Sequence, residues 1–488
     1  MTSSQPHIQA KTVIEWLAYI EALHPKSIAM GLDRVKLVLK QLQLCPKFPI
    51  ITVAGTNGKG SVCAMLSHIY VEAGYQVGCY TSPHIQRYNE RVTVNLQPIT
   101  DDDLCSAFAA VEAARCTYQN NNSESGAVAL TYFEMGTLAA MWHFCHQPLD
   151  VCILEIGLGG RLDAVNVFEP NCAIVTTIAL DHMEFLGDTR EQIGFEKAGV
   201  FRANKPAICG DENPPNSLVE YAKKIGADLQ LIQRDFHVKK TSRGWQYSDR
   251  NMKLDLPILG LIGDFQLNNA ACVVRAVLHL NNILPVITPE HSSASPQPQG
   301  LSPQNIPAEA GYSYVKGNTP GQPLSSAKSA LDSPCIHAAF SAMQLTGRFQ
   351  YLQSNPQIIV DVAHNPHAAK SLMQNLKSMP CAGKTLAVFG MLADKDIAGV
   401  IASVQAEIDA WYLADIDNAR GAKAQDLQQY LLKAGNKQPI RKFADVAAAL
   451  AAACIDAHKS DRIIVFGSFY TVADAMAANR GNANSRRL

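Results

Sequence analysis

The feature that most restricts the fold is the apolar, β-branched run Ile50-Ile51-Thr52-Val53-Ala54-Gly55, followed at once by Thr56-Asn57-Gly58-Lys59-Gly60-Ser61. A buried strand that ends in a glycine-rich turn and resumes as a helix opens an α/β domain with a mostly parallel sheet. Here the helix is marked by Val62, Met65, Leu66 and Ile69 at helical spacing, with Gly74 as its C-terminal stop. Such a turn aims backbone N–H groups and the positive end of a helix at one point, which suits a phosphate. Lys59 would reach the distal phosphates, and Ser61 would sit near a metal beside them. The spacing departs from the usual P-loop, because two residues separate Gly55 from Gly58 and Gly60 splits Lys59 from Ser61. The plainer alternative is a tight strand-to-helix turn without a ligand.

The alternation of strand and helix continues. QVGCYTSP, DVCILEIG (Asp150 to Gly157) and CAIVTTIALDH (Cys172 to His182) read as strands that end in polar residues. That placement matters, because open α/β sheets bind ligands at the carboxyl ends of their strands. With 488 residues the chain exceeds one ordinary core. The expected units are an N-terminal P-loop-type domain over 1–285, a flexible Pro/Ser/Gln-rich insertion or linker over 286–335, and a smaller Rossmann-like α/β domain over 336–488. QIIVDVAHNP, KTLAVFGML, AWYLADID and DRIIVFGSF supply strands for that last domain.

Forty-two Lys and Arg nearly cancel 43 Asp and Glu, so no broad field marks a nucleic-acid or anionic-membrane partner. The stretch Val13 to Ile20 is broken by Glu15 and reads as an amphipathic helix, not a targeting segment, and no apolar run approaches the roughly 20 residues of a membrane span. Thirteen scattered cysteines without a Cys-x-x-Cys pair suit a reducing, cytoplasmic setting.

Ser82, Glu155 and His182 stand near three strand ends and could hold magnesium beside phosphates. The bland alternative is a hydrogen-bonded core histidine and a buried, paired Glu. Lys197, in FEKAGVFR, reads unaided as a surface lysine pairing with Glu196 or Glu191. Arg348 offers a planar donor fork for phosphate. Asp361 at a strand end can accept from ribose hydroxyls, and His364 can donate to a phosphate or carboxylate. Each, alone, is more often part of a surface pair.

Taken together, GTNGKGS, TSPHIQRYNERV, LTYFEMGTLAA, ILEIGLGGRLDAVN, TTIALDHMEFLG, EKAGVFR, GRFQ, DVAHNPHAA and GSFYTVA resemble the folylpolyglutamate synthase family within the Mur-type amide ligases. The likeness is strongest to bacterial members that are also dihydrofolate synthases. It implies Mur ligase architecture and an ATP-dependent ligase that joins L-glutamate to dihydropteroate and to the γ-carboxylate of reduced folates through an acyl phosphate. It also implies residue roles. Thr56, Asn57, Gly58, Lys59, Gly60 and Ser61 would hold ATP phosphates, Asn269 the adenine, and Arg348 and Asp361 would contact ATP from the second domain. Ser82, Glu155 and His182 would ligate magnesium, and a carbamylated Lys197 would hold a second magnesium ion. Thr131, Tyr132, Phe133, Glu134, Leu162, Asp163 and Ala164 would line the pterin side. Lys59, Lys197 and His364 would act in catalysis. A monomer with small-molecule substrates, and with no nucleic-acid or membrane partner, is the resulting expectation. Two rivals remain: a cell-wall precursor ligase with a nucleotide-sugar acceptor, and a P-loop ATPase that acts as a switch.

Overall fold

The computed structural model describes residues 12–26, 28–117, 127–281, 283–284, 333–379 and 381–485. Its N-terminal half is built on eight strands: β1 (Ile50–Ala54), β2 (Val77–Tyr80), β3 (Val92–Val94), β4 (Gln97–Pro98), β5 (Val151–Glu155), β6 (Cys172–Val175), β7 (Pro206–Cys209) and β8 (Asp228–Leu231). They lie in the order β4-β3-β2-β5-β1-β6-β7-β8. All pairings from β2 to β8 are parallel, and β3 and β4 form an antiparallel edge.

The central strands β1, β5 and β6 are buried at every position. That is why they read as continuous apolar runs, without alternation. One core covers one face of the sheet through Tyr80, Phe108, Leu138 and Phe144. A second covers the other through Met65, Ile69, Val273 and Phe340. The order places the carboxyl ends of β2, β5, β1 and β6 side by side. The glycine loop after β1, Glu155 at the end of β5 and Ser82 two residues past β2 are therefore neighbours in space.

A three-stranded antiparallel sheet follows, made of β9 (Phe236–Thr241), β10 (Gly244–Asp249) and β11 (Lys253–Leu256). Nothing in the sequence reading anticipated it. It packs Phe236, Trp245, Tyr247 and Leu256 into the second core.

The C-terminal half is a six-stranded sheet of β12 (Gln350–Ser354), β13 (Gln357–Asp361), β14 (Thr385–Phe389), β15 (Ala410–Ala414), β16 (Ile440–Phe443) and β17 (Arg462–Phe466), in the order β12-β13-β17-β14-β15-β16. It is parallel except for the edge strand β12, and cores lie on both faces. Here the ends of β13, β17 and β14 are adjacent.

The insertion expected over 286–335 lies outside the described residues up to position 332. Its last three residues open the helix Ser333–Ala342. That helix buries Ile336, Ala339 and Phe340, with Met343 beyond it, in the N-terminal core. The C-terminal half therefore begins after this helix and not at 336, because an apolar helix face follows its burial partner and not a compositional break.

Candidate active site

The loop after β1 is built by close backbone approach. Gly55 has φ +143°, and a Cβ there would stand 1.8 Å from Thr176 Oγ1. Gly58 has φ +90°, and its Cβ would stand 2.8 Å from the Asn269 amide. Only glycine fits both constraints. The segment after β6 braces the loop from the side. Thr56 N donates to the Thr177 carbonyl (2.7 Å), Thr176 Oγ1 donates to the Asn57 carbonyl (2.7 Å), and Thr56 Oγ1 donates to the Ala179 carbonyl (3.1 Å). Helix Lys59–Glu72 then starts with Gly58 as its N-cap and no side chain on the cap. Its first N–H groups are left to an outside acceptor. Lys59 Nζ donates back to the carbonyls of Gly55 (3.1 Å) and Thr56 (3.3 Å). Ser61 Oγ accepts from Gln266 Nε2 (3.2 Å), and Gln266 Oε1 in turn accepts from Asn269 Nδ2 (2.9 Å). Asn269, packed against Gly58, is thus also linked to Ser61 through Gln266.

Glu155 is buried at 5% exposure, and its Oε2 accepts from the Ser82 backbone N–H (3.1 Å). Burial raises its pKa, opposed by the positive charge of Lys59. His182 does not close a strand as the sequence suggested. β6 stops at Val175, and His182 sits in a loop at φ +51°, capping the short helix Met183–Leu186. Burial lowers its pKa to about 4, so its ring is neutral at pH 7. The preceding Asp181 is held well below the usual carboxylate range, although burial alone would raise it. Of the neighbours that hold it there, Lys395 carries the durable charge, since His182 and His364 are both lowered.

Lys197 is no surface lysine. It lies on helix Arg190–Ala198, opened by the Thr189/Gln192 capping box, and is 4% exposed. Its Nζ donates to the Gly55 carbonyl at 2.9 Å, the same oxygen that accepts from Lys59. The two partners expected for it are engaged elsewhere. Glu191 accepts from the backbone N–H groups of Asn216 and Ser217, and Glu196 faces Arg161. Burial, reinforced by the charge of Lys59, lowers the Lys197 pKa to about 7.

The segment Thr131–Glu134 is a helix start. Thr131 is the N-cap of helix Tyr132–Cys145 in a capping box with Glu134. Both Glu134 oxygens are engaged: Oε2 accepts from Thr131 N (2.8 Å) and Arg34 Nε (3.2 Å), and Oε1 from Arg34 Nη2 (2.8 Å). Asp163 likewise accepts from Leu158 N (2.8 Å) and Val165 N (3.0 Å), and burial raises its pKa to about 7. Leu162 is 41% exposed, whereas Ala164 is buried.

From the C-terminal half, Arg348 stacks 5.1 Å over the Phe469 ring and leaves its Nη1 buried without a partner among the described residues. Asp361, at the end of β13, accepts from Phe349 N and Ala363 N, both at 2.8 Å. His364 donates from Nδ1 to the Val362 carbonyl (2.9 Å) and turns Nε2 toward Asp181 Oδ2 at 3.8 Å.

Every candidate residue named from the sequence, from both halves, lines one cavity of about 1280 Å³. The same cavity adds residues that sequence reasoning did not assign: Arg91, Asp181, Gln266, His367 and Lys395. Asp181 stood inside the TTIALDH motif, so the signal was present. Lys395 had none, because its partners lie more than 200 positions away. Among the described residues no three His, Cys, Asp or Glu side chains converge on a metal by themselves. That suits magnesium, which takes one or two carboxylates and completes its shell with phosphate oxygens and water. The buried Glu155 carboxylate and the unpartnered Arg348 Nη1, in one cavity with a glycine loop, fit a metal-bound polyphosphate.

Comparison with known proteins agrees with this geometry. The Mur ligase middle domain model matches residues 53–277, and the Mur ligase glutamate ligase domain model matches residues 347–469. Fold and site together define an ATP-dependent ligase of the Mur type. The chain is 39% identical to the dihydrofolate synthase/folylpolyglutamate synthase of Escherichia coli K12, over 96% of this chain and 95% of that one. It is 35% identical to the corresponding protein of Haemophilus influenzae, over 95% and 96%. The solved E. coli FolC in complex with DHPP and ADP superposes with a TM-score of 0.80 at 38% identity, covering 98% of this chain and 99% of that one. A bifunctional folylpolyglutamate synthase/dihydrofolate synthase with Mn, AMPPNP and L-glutamate bound has a TM-score of 0.78, at 38% identity and with 96% and 98% covered. The chain belongs to the dihydrofolate synthase/folylpolyglutamate synthase family.

Proposed function

We propose that this ligase joins L-glutamate to dihydropteroate and to the γ-carboxylate of reduced folates at one ATP site. The observation that carries the reading is the single cavity lined by the phosphate loop, the Thr131–Glu134 and Leu162–Ala164 segments, and the cationic residues of the C-terminal half. A carboxylate is a poor electrophile, so the γ-phosphoryl group of ATP passes to it first, and the amine of glutamate then displaces phosphate. Lys59 and Arg348 face the charge on the transferring group. Glu155 and His182, with Ser82 beside them, would hold a divalent ion, which would supply positive charge to offset that of the phosphates. The Thr56–Ser61 loop cradles those phosphates, Asn269 meets the adenine, and Asp361 the ribose. His364, which lines the same cavity, would donate to a phosphate or to the acceptor carboxylate.

Lys197 carries the second part of the reading. An amine reacts with CO₂ only when neutral, and an ordinary lysine near 10.4 is scarcely neutral at pH 7. Burial brings Lys197 to about 7, which makes the neutral amine abundant without any metal. As a carbamate it would be a buried anion beside Lys59, suited to a second divalent ion. The acyl phosphate needs water excluded, and placing the ATP contacts on two halves provides that closure.

The test is ADP release with dihydropteroate, tetrahydrofolate or a muramyl nucleotide as acceptor, with and without glutamate. Release that requires glutamate together with either pterin acceptor is the expected result. Release with the muramyl nucleotide alone, or without any acceptor, would overturn the reading.

A further inference from the structure

Lys395 lies six residues past the end of β14, in a turn held by its own N–H to the Leu392 carbonyl and by Ala393 N to the Arg420 carbonyl. Asp396 then caps helix Ile397–Val404, so the lysine is fixed at the start of a helix of the C-terminal half. Its side chain crosses to the N-terminal half and is only 9% exposed. There Nζ donates to Asp181 Oδ1 at 2.8 Å and lies 3.2 Å from His182 Nε2. An ammonium has no lone pair, so the imidazole nitrogen must be the acceptor. An ion pair with Asp181 would not require that second contact. The remaining oxygen of Asp181 faces Asn365 Nδ2 (3.4 Å) and His364 Nε2 (3.8 Å), also from the C-terminal half.

An imidazole nitrogen offers one lone pair, and it cannot serve an ammonium and a metal at once. We propose that Lys395 is a seat-holding cation. In the metal-free chain it occupies the lone pair of His182 that a divalent ion would take, and loading the metal displaces it from His182 while its bond to Asp181 remains. Lys395 is thus a positioning residue that ties metal loading to the seam between the halves. The inference rests on the reading of His182 as a metal-facing residue.

The test measures free Mn²⁺ by electron paramagnetic resonance during titration of the chain with AMPPNP present and without acceptor or glutamate. Lys395→Met should bind Mn²⁺ about tenfold tighter than wild type, the order expected for removing one competing charge-assisted hydrogen bond. Lys395→Arg, which keeps the charge and the donors, should stay near wild type. Should Lys395→Met fail to fold, Lys395→Leu, which likewise has no donor, carries the same expectation as Lys395→Met. Removing a positive charge tightens a cation site through space as well, so the pair is repeated on His182→Ala. There the same Lys395 change should matter by less than about threefold, because the contested lone pair is gone. Affinity of Lys395→Met equal to or weaker than wild type would overturn the proposal, as would equal tightening with and without His182. A wild type that binds no Mn²⁺ with AMPPNP would instead overturn the metal reading and the inference with it.

Discussion

The two halves contribute to the cavity in opposite ways. In the N-terminal half three of the buried ionisable groups are held by its own backbone: Glu155 by the Ser82 N–H, Asp163 by Leu158 and Val165, and Lys197 by the Gly55 carbonyl. Those groups are buried, and their pKa values are shifted by that burial. The C-terminal half brings Arg348, whose charge is felt by its own Asp361 and by Glu155 of the other half, and Lys395, which pairs with Asp181 of the other half. The N-terminal half is therefore a preformed set of seats, and the C-terminal half delivers positive charge to it. Phosphoryl transfer benefits from such a division, since the charge to be stabilised develops only after the substrates are enclosed.

Four substitutions test that contrast, from the largest effect to the smallest. Lys59→Ala removes a cation from the preformed side and should lower kcat by on the order of 10³ while leaving the melting temperature unchanged. Near-normal turnover with magnesium-ATP would break the assignment of the loop.

Lys197→Met should lower turnover by on the order of 10², and short carboxylic acids should restore part of it by filling the vacated anionic position. Lys197→Arg should not rescue, since it keeps the charge and cannot carry a carbamate. In CO₂-free buffer the same Met variant should be more stable than wild type. The folded pKa of about 7 lies below the unfolded value of 10.5, so between those values the unfolded chain binds the extra proton. The stability penalty from this lysine is full below pH 7 and fades as the pH rises toward 10.5. Thermal melts across that range should show the wild type gaining on the Met variant, and parallel curves would mean that the amine is not buried as described.

Arg348→Gln, on the delivering side, should lower kcat/KM for ATP by about ten- to a hundredfold with no change in melting temperature. A drop in stability instead would mean that Arg348 belongs to a core and not to the transfer. Glu134→Ala should have the smallest catalytic effect, because its oxygens serve the Thr131 cap and Arg34. A loss of about 1 kcal/mol in stability should accompany it. ADP release should fall more with dihydropteroate than with tetrahydrofolate, and equal losses would point to one shared acceptor pocket.

The strand ends and the glycine loop were legible because a parallel sheet concentrates polar residues where its apolar runs stop. What failed was inference by proximity in sequence. Lys197 was paired with its neighbours Glu196 and Glu191, yet the face of its helix is chosen by packing, which turns the amine inward to Gly55. His182 was placed on a strand because TTIAL is apolar and β-rich, while the strand ends at Val175 and the remainder braces the loop. The small sheet β9–β11 escaped because its strands bury only a few large side chains, Phe236, Trp245, Tyr247 and Leu256, spaced among polar and charged residues, so no continuous apolar run marks it. The boundary at 336 failed because composition reports where the apolar content changes and not which core an apolar helix joins.

One contact between the halves reaches further than its size suggests. Asn57, in the glycine loop, exchanges amide hydrogen bonds with Asn365: Asn365 Nδ2 donates to Asn57 Oδ1 at 3.0 Å, and Asn57 Nδ2 donates to Asn365 Oδ1 at 3.3 Å. The pair is uncharged, so salt does not compete with it directly, while Asn57 Nδ2 also lies 3.0 Å from His367 Nδ1. It also links the shape of the glycine loop to the apposition of the halves. By reciprocity, any acceptor that favours apposition must raise nucleotide affinity by the same factor by which nucleotide raises its own. Measuring that factor in both directions, in wild type and in Asn365→Ala, would give the coupling carried by the Asn365 side chain, which also caps the helix Pro366–Lys377 and faces Asp181.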